Sequence, residues 1–113
     1  MFARANRLAK KRDVDRVWKR GKRVRAPRFY VCVLPNNQNV VRCTVVVSLR
    51  VSKKATIRNR LKRRIREILR AALPTLRPGF DLLVSAAPGL ERDDISVLRK
   101  NVHDALKHAR LFL

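Results

Sequence analysis

Cationic side chains recur at every fourth residue in one short stretch of the chain, and this spacing is what a phosphate-binding helix would show. The members of this row are Arg58, Lys62, Arg66 and Arg70. On a helix, residues four apart lie on the same face, where like charges repel by about 0.2–0.5 kcal/mol per pair. Arginine suits bidentate contact with phosphate and stacking on bases. The row therefore indicates a nucleic-acid surface rather than a solvated helix face.

The residues around this row extend the same chemistry. Asn59 can donate to and accept from a ribose hydroxyl or a base edge, and Arg60 and Arg63 add charge to the predicted RNA surface. A basic loop, with Arg50, Lys53 and Lys54, precedes the predicted helix, and helix N-termini favour phosphate. A basic N-terminal arm is predicted over residues 1–12. Its candidate RNA-binding residues are Arg7, Lys10, Lys11 and Arg12.

The net charge of +21 on 113 residues is concentrated in two segments. Residues 1–28 carry a net +10 and residues 50–70 a net +9, whereas residues 29–49 and 71–113 carry +1 each. Such asymmetry favours a localised binding surface for a polyanion. A hydrophobic fraction of 46% argues against a disordered basic tail.

Other kinds of site find little support. Neither Cys32 nor Cys43 has metal-site spacing or a nearby histidine, and Asp81 has no second carboxylate close in sequence. We therefore predict no catalytic side chain and no metal site. No apolar run approaches the ~20 residues of a membrane span, and the N-terminus shows no apolar signal core. The expectation is a cytoplasmic protein without membrane contact.

The elements that must position these residues follow from periodicity. We predict helices over 13–20, from Thr56 as N-cap to about 73, and after Asp93 and Asp94. Strands are predicted over 28–34, 40–49 and 80–86, the first two forming an antiparallel hairpin. Gly21 is expected to end the first helix in the left-handed conformation. The prediction is one domain, residues 1–113, with the order α-β-β-α-β-α: an α+β sandwich with a small, mostly antiparallel sheet.

Three stretches resemble a known family. The run Arg58-Asn59-Arg60-Leu61-Lys62-Arg63-Arg64-Ile65-Arg66, preceded by Ser52-Lys53-Lys54-Ala55, is similar to the RNR signature of the bacterial ribonuclease P protein subunit. The stretches Asn6-Arg7-Leu8 and 13–21 resemble the family as well, and the likeness covers residues 6 to 110.

The resemblance implies a role as protein subunit of a ribonucleoprotein that removes the 5′ leader from precursor tRNA. Its RNA subunit would carry the chemistry and bind Mg²⁺, with no obligate protein partner. Arg58, Asn59, Lys62, Arg63 and Arg66 would contact the catalytic RNA. The leader would lie in a cleft lined by Val14, Trp18 and Cys32. The family also implies a left-handed strand-helix-strand crossover, where right-handed is the rule.

The chain departs from the family pattern in the cleft. Many members have aromatic residues at the positions of Val14 and Cys32, and base stacking is worth about 1–3 kcal/mol per base. Phe29 and Tyr30 point to opposite faces of a strand, so at most one can compensate, and Tyr30 is the predicted cleft residue. Composition alone permits two other classes: a ribosomal or general structural RNA-binding protein, and a stand-alone nuclease, for which no carboxylate or histidine cluster is visible.

Overall fold

A computed structural model describes residues 3–113 and shows three α-helices and a four-stranded sheet. The helices are α1 (Lys11–Arg20), α2 (Ala55–Ala72) and α3 (Ile95–His108). The strands are β1 (Lys22–Ala26), β2 (Phe29–Pro35), β3 (Arg42–Val46) and β4 (Phe80–Ala86). The strand order is β1-β2-β4-β3. The α+β class and the mostly antiparallel sheet are confirmed, because only the β3–β4 pair is parallel.

The predicted hairpin is wrong. The strand at Phe29–Pro35 pairs with β1 on one side and β4 on the other, and β3 lies on the far side of β4. The actual hairpin is β1–β2, closed by Pro27 and Arg28, and Arg28 has a φ of 71°. Strand β1 was not predicted, because Lys22–Ala26 carries three cations among its five residues. Charged side chains of this kind protect an exposed sheet edge.

At three helix ends the structure adds to or corrects the prediction. Helix α2 begins at Ala55 after an extended Lys54 with no side-chain cap, so Thr56 lies inside the first turn and is not the N-cap. Asp94 is the N-cap of α3, and its carboxylate accepts a hydrogen bond from the Val97 amide at 3.0 Å. Gly21 has an extended φ of −67° and is not left-handed. Glycine is required there by close approach, since a Cβ would lie 2.5 Å from the Val17 carbonyl oxygen.

The sheet separates two apolar layers. Residues of one face, such as Val31, Val45 and Leu82, pack in the main core with α2 and α3. Side chains alternate along a strand, so the opposite face presents Cys32 and Leu83, which pack with Leu8 and Val17 under α1. The chain thus places α1 on one side of the sheet and the cationic helix α2 on the other.

The basic arm is partly ordered along the sheet edge. Arg7 bridges Cys43 in parallel, and the Asn6 side chain donates to the Val41 carbonyl at 2.8 Å. Lys11 and Arg12 belong to the first turn of α1, not to the arm, which corrects the predicted boundary at residue 12. Residues 1 and 2 of the predicted arm lie outside the described residues.

Candidate nucleic-acid interface

Two exposed aromatic side chains lie on the α1 side of the sheet, and each has a guanidinium over its ring. Trp18 is 44% exposed and Tyr30 is 41% exposed. The Arg23 guanidinium carbon is 4.4 Å from the Trp18 ring centre, and that of Arg25 is 5.6 Å from the Tyr30 ring centre. We call Trp18, Tyr30, Arg23 and Arg25 the aromatic face. Such a surface can stack bases and hold phosphates at the same place.

Local structure explains these pairs. Strand β1 aligns Arg23 with Cys32 and Arg25 with Tyr30, and cross-strand partners share a face. Trp18 stands near the end of α1, and its carbonyl oxygen accepts a hydrogen bond from Arg23 at 3.2 Å. The β1–β2 hairpin and the end of α1 therefore build the aromatic face together.

Cys32 cannot line a leader cleft. Its side chain is completely buried in the layer beneath α1, so this prediction is wrong. Burial raises the pKa of the Cys32 thiol, and the neighbouring Arg23 guanidinium partly opposes that rise. Val14 is half-buried against the same layer, which leaves it a smaller contact than an open cleft residue would have. Tyr30 is exposed on the α1 side of the sheet, as predicted for a cleft residue, whereas Phe29 is buried on the other side.

A charged cluster ties α1 to the sheet. Asp81 on β4 is buried and accepts two hydrogen bonds from Arg42, at 2.7 and 2.6 Å, and one from Asn36 at 3.0 Å. Arg42 also lies 3.6 Å from the Asp13 carboxylate in the first turn of α1. Hydrogen bonding to Asp81 raises the pKa of Arg42. The cluster fixes the helix start relative to two strands.

Helix α2 presents the predicted row, but its members differ in their contacts. Arg58 donates to the Ser52 carbonyl at 2.9 Å, which ties it to the preceding loop. Arg70 pairs with Glu67 at 2.9 Å and lowers the pKa of that carboxyl group. Lys62 and Arg66 are half-buried between these ends. We call the predicted set the cationic face: Arg58, Asn59, Arg60, Lys62, Arg63, Arg66 and Arg70.

The loop before α2 is built by serine hydroxyls. The Ser48 Oγ accepts from the Arg50 amide at 3.3 Å, and the Ser52 Oγ accepts from the Lys54 amide at 3.2 Å. Arg50, Lys53 and Lys54 are exposed, so the three predicted loop residues are accessible beside the start of the cationic face.

A pocket of about 270 Å³ lies where the arm, α1 and α2 meet. Its lining includes Arg7 and Val14 on one side and Arg66 on the other. The arm and the cationic face are thus neighbours in space, although 59 positions separate Arg7 from Arg66 along the chain. Lys10 is exposed at the N-cap of α1.

Sequence reasoning missed three contributors to the site: Arg23, Arg25 and Arg42. The first two alternate along a five-residue strand, a pattern that places them on one face once that strand is recognised. No signal of that kind exists for Arg42, because its partners lie 29 and 39 positions away.

Comparison with known proteins decides the family. A model for ribonuclease P matches residues 2–110. The chain belongs to the ribonuclease P protein family. A ribonuclease P protein component of Cyanothece sp. is 30% identical, over 98% of this chain and 97% of its own length. One from Synechocystis sp. is 41% identical, over 73% of this chain and 67% of its own length.

Solved ribonuclease P proteins share the fold. The structure from Staphylococcus aureus has a TM-score of 0.88 at 26% identity, covering 97% of this chain and all of that one. The structure from Thermotoga maritima has a TM-score of 0.81 at 33% identity, covering 89% and 94%. The resemblance drawn from the RNR run is confirmed. Within residues 3–113, no helix is long and apolar enough to span a membrane.

Proposed function

We propose that this chain is the protein subunit of a ribonuclease P whose RNA subunit catalyses cleavage of precursor tRNA. The cationic face binds the catalytic RNA, and the aromatic face binds the single-stranded 5′ leader. The observation that carries the proposal is that the fold builds two surfaces of different chemistry, exposed rings beside guanidinium groups on one and a row of cations along α2 on the other. One protein can then contact two RNAs at once.

The two surfaces suit different RNA chemistry. The cationic face offers guanidinium and ammonium groups but no exposed aromatic ring, which fits backbone contacts to a folded RNA. The aromatic face offers ring surfaces beside two guanidinium groups, which fits unpaired bases. A single-stranded leader presents unpaired bases, and stacking can recognise these without base-specific hydrogen bonds.

Mg²⁺ is assigned to the RNA subunit. Carboxylate oxygen is the protein ligand that Mg²⁺ prefers, and Asp81 is the buried acid among residues 3–113. Its oxygens are already occupied by Arg42 and Asn36. Within residues 3–113 no group of three or more histidine, cysteine or acidic side chains is placed to hold a metal ion, and the role proposed for the protein is to bind and orient RNA.

Reconstitution tests the proposal. The purified chain is combined with the catalytic RNA of its own organism, and cleavage of precursor tRNA is followed at low Mg²⁺. We expect the protein to raise the cleavage rate and to raise affinity for precursor over mature tRNA. Absence of any stimulation across Mg²⁺ and salt concentrations would contradict the proposal. Selective association with ribosomal RNA would favour a structural RNA-binding protein instead.

A further inference from the structure

A second groove lies between α2 and α3, away from the aromatic face. It encloses about 480 Å³ and has an apolar floor, formed by Ile68, Ala71 and Ile95. Ile95 is 43% exposed there. Residues 71–113, which include α3, carry a net charge of only +1, but the fold brings Arg99 and His103 of α3 to the wall opposite α2.

The walls of this groove are strongly cationic. The charged groups that line it are Arg63, Arg64, Arg70, Arg99 and one acid, Glu67. Arg70 is paired with Glu67, whereas the structure shows no acidic partner within residues 3–113 for the other three guanidinium groups. Like charges brought together on facing helices are unfavourable unless an anion lies between them.

His103 adds a positioned donor to the α3 wall. Its ring stacks on Phe112, with ring centres 5.8 Å apart and planes 14° from parallel. The stacking restricts the ring orientation while the side chain stays exposed at the groove. An imidazole N–H held in this way can donate a hydrogen bond to a phosphate oxygen.

We propose that the α2–α3 groove binds the phosphodiester backbone of the catalytic RNA, with Arg99 and His103 contacting phosphate beside Arg63. The inference rests on the proposed function and extends the RNA footprint from α2 onto α3. Charge complementarity favours an anionic partner, and Arg63 belongs both to the cationic face and to the groove. This continuity favours the same RNA over a separate acidic protein.

The first test compares two double variants of α3, a groove variant that loses one formal positive charge and a control variant that loses two. Arg99→Gln/His103→Gln alters the groove, and Lys100→Gln/Lys107→Gln alters exposed positions outside its lining. Affinity of the full chain for the catalytic RNA is measured across a salt series. We expect the groove variant to lose about 5–10-fold in affinity and the salt slope to fall by about 1.

The control variant should stay within about 2-fold of the wild-type affinity, since exposed cations outside the contact contribute only through screened, long-range attraction. Equal losses in both variants would show that net charge alone matters, and would overturn the groove as a site. No loss in the groove variant would overturn it as well.

A second variant separates binding from folding. Ala71 is exposed on the groove floor, and Ala71→Glu places a carboxylate among the guanidinium groups. We expect unfolding stability to be kept or raised while affinity for the catalytic RNA falls about 10-fold, as removal of a strong charged contact would do. Unchanged affinity would contradict the inference. If the wild-type chain itself failed to bind or stimulate the RNA, the proposed function would fail, a different outcome from failure of the groove alone.

Discussion

The aromatic face and the cationic face are built on helices that pack on opposite faces of one sheet, and they differ in how their side chains are held. The rings of Trp18 and Tyr30 are capped by guanidinium groups of β1, and Asp13, Arg42 and Asp81 fix the helix that carries Trp18. On α2, by contrast, the cations lie on the outer surface of one continuous helix. One surface thus depends on three elements docked together, whereas the other depends on a single helix.

This difference predicts different sensitivities. Binding at the cationic face depends on counterion release and should fall steeply with salt. Binding at the aromatic face includes stacking, which salt screens little, and depends on α1 staying docked. Variants can therefore separate the two contributions.

The largest expected effect comes from the middle of the cationic face. Lys62→Ala/Arg66→Ala removes two half-buried cations that have no salt bridge within residues 3–113. We predict a loss of at least about 100-fold in affinity for the catalytic RNA, since hydrogen bonds to charged groups contribute about 1.5–3 kcal/mol each. Filter binding across a salt series checks this, with Lys100→Ala/Lys107→Ala as the charge-matched control. A loss no larger than that of the control would contradict the assignment of this face.

Arg42→Ala should destabilise the protein by about 2–3 kcal/mol, because Asp81 would be left buried without its charged partner. The expected consequence is local: α1 loosens, and the Cys32 thiol beneath it becomes reactive before Cys43 in the main core does. Denaturant unfolding measures the first effect and timed thiol labelling the second. Equal labelling rates for both thiols would show that the cluster does not act specifically on α1.

Trp18→Ala should weaken binding of precursor tRNA by about 10-fold without weakening binding of mature tRNA, because stacking is worth about 1–3 kcal/mol per base. Trp18→Phe keeps a ring and should recover part of the loss. Affinities of the reconstituted complex for a matched pair of tRNAs, with and without leader, provide the readout. A loss that is the same for both tRNAs would place Trp18 outside the leader site.

The last comparison concerns the two thiols and the dependence of stability on pH. Burial raises the pKa of Cys43 from 9.0 to about 12. Between these values the unfolded thiol ionises and the folded one does not, so stability falls as pH rises, by up to about 1.4 kcal/mol per pH unit from this group. Below pH 9 the contribution of the Cys43 thiol to stability is fully present.

Cys43→Ala should flatten the decline of stability with pH between 9 and 12. Cys32→Ala should flatten it less, since Arg23 opposes the effect of burial on the Cys32 pKa. Unfolding free energies at a series of alkaline pH values measure both slopes. A larger change for Cys32 than for Cys43 would reverse the comparison.

Much of the fold was predictable where local pattern and burial agree. The strand at Phe80–Ala86 and the body of α2 follow from β-branched residues and from a helical apolar stripe, and both occur as expected. Strand pairing was not predictable, since β2 and β3 both suit a hairpin and only the packing of β4 between them excludes it.

The candidate site also has one part that local sequence predicts and another part that depends on tertiary structure. The cationic face is local in sequence, and the row of cations along it is predictable from spacing on one helix. The aromatic face requires the partner strand of Tyr30 and the docking of Trp18, both of which depend on tertiary structure. Cys32 was placed in the cleft by motif position, but alternation along β2 and coverage by α1 bury it.

The most direct test of the two-surface account is a salt series on the reconstituted complex that measures the ratio of affinities for precursor and mature tRNA. We predict that Trp18→Ala abolishes most of this ratio at every salt concentration. We also predict that Lys62→Ala/Arg66→Ala leaves the ratio unchanged once the catalytic RNA is saturated with protein. A ratio that depends on the α2 cations and not on Trp18 would contradict the assignment of leader binding to the aromatic face and of catalytic-RNA binding to the cationic face.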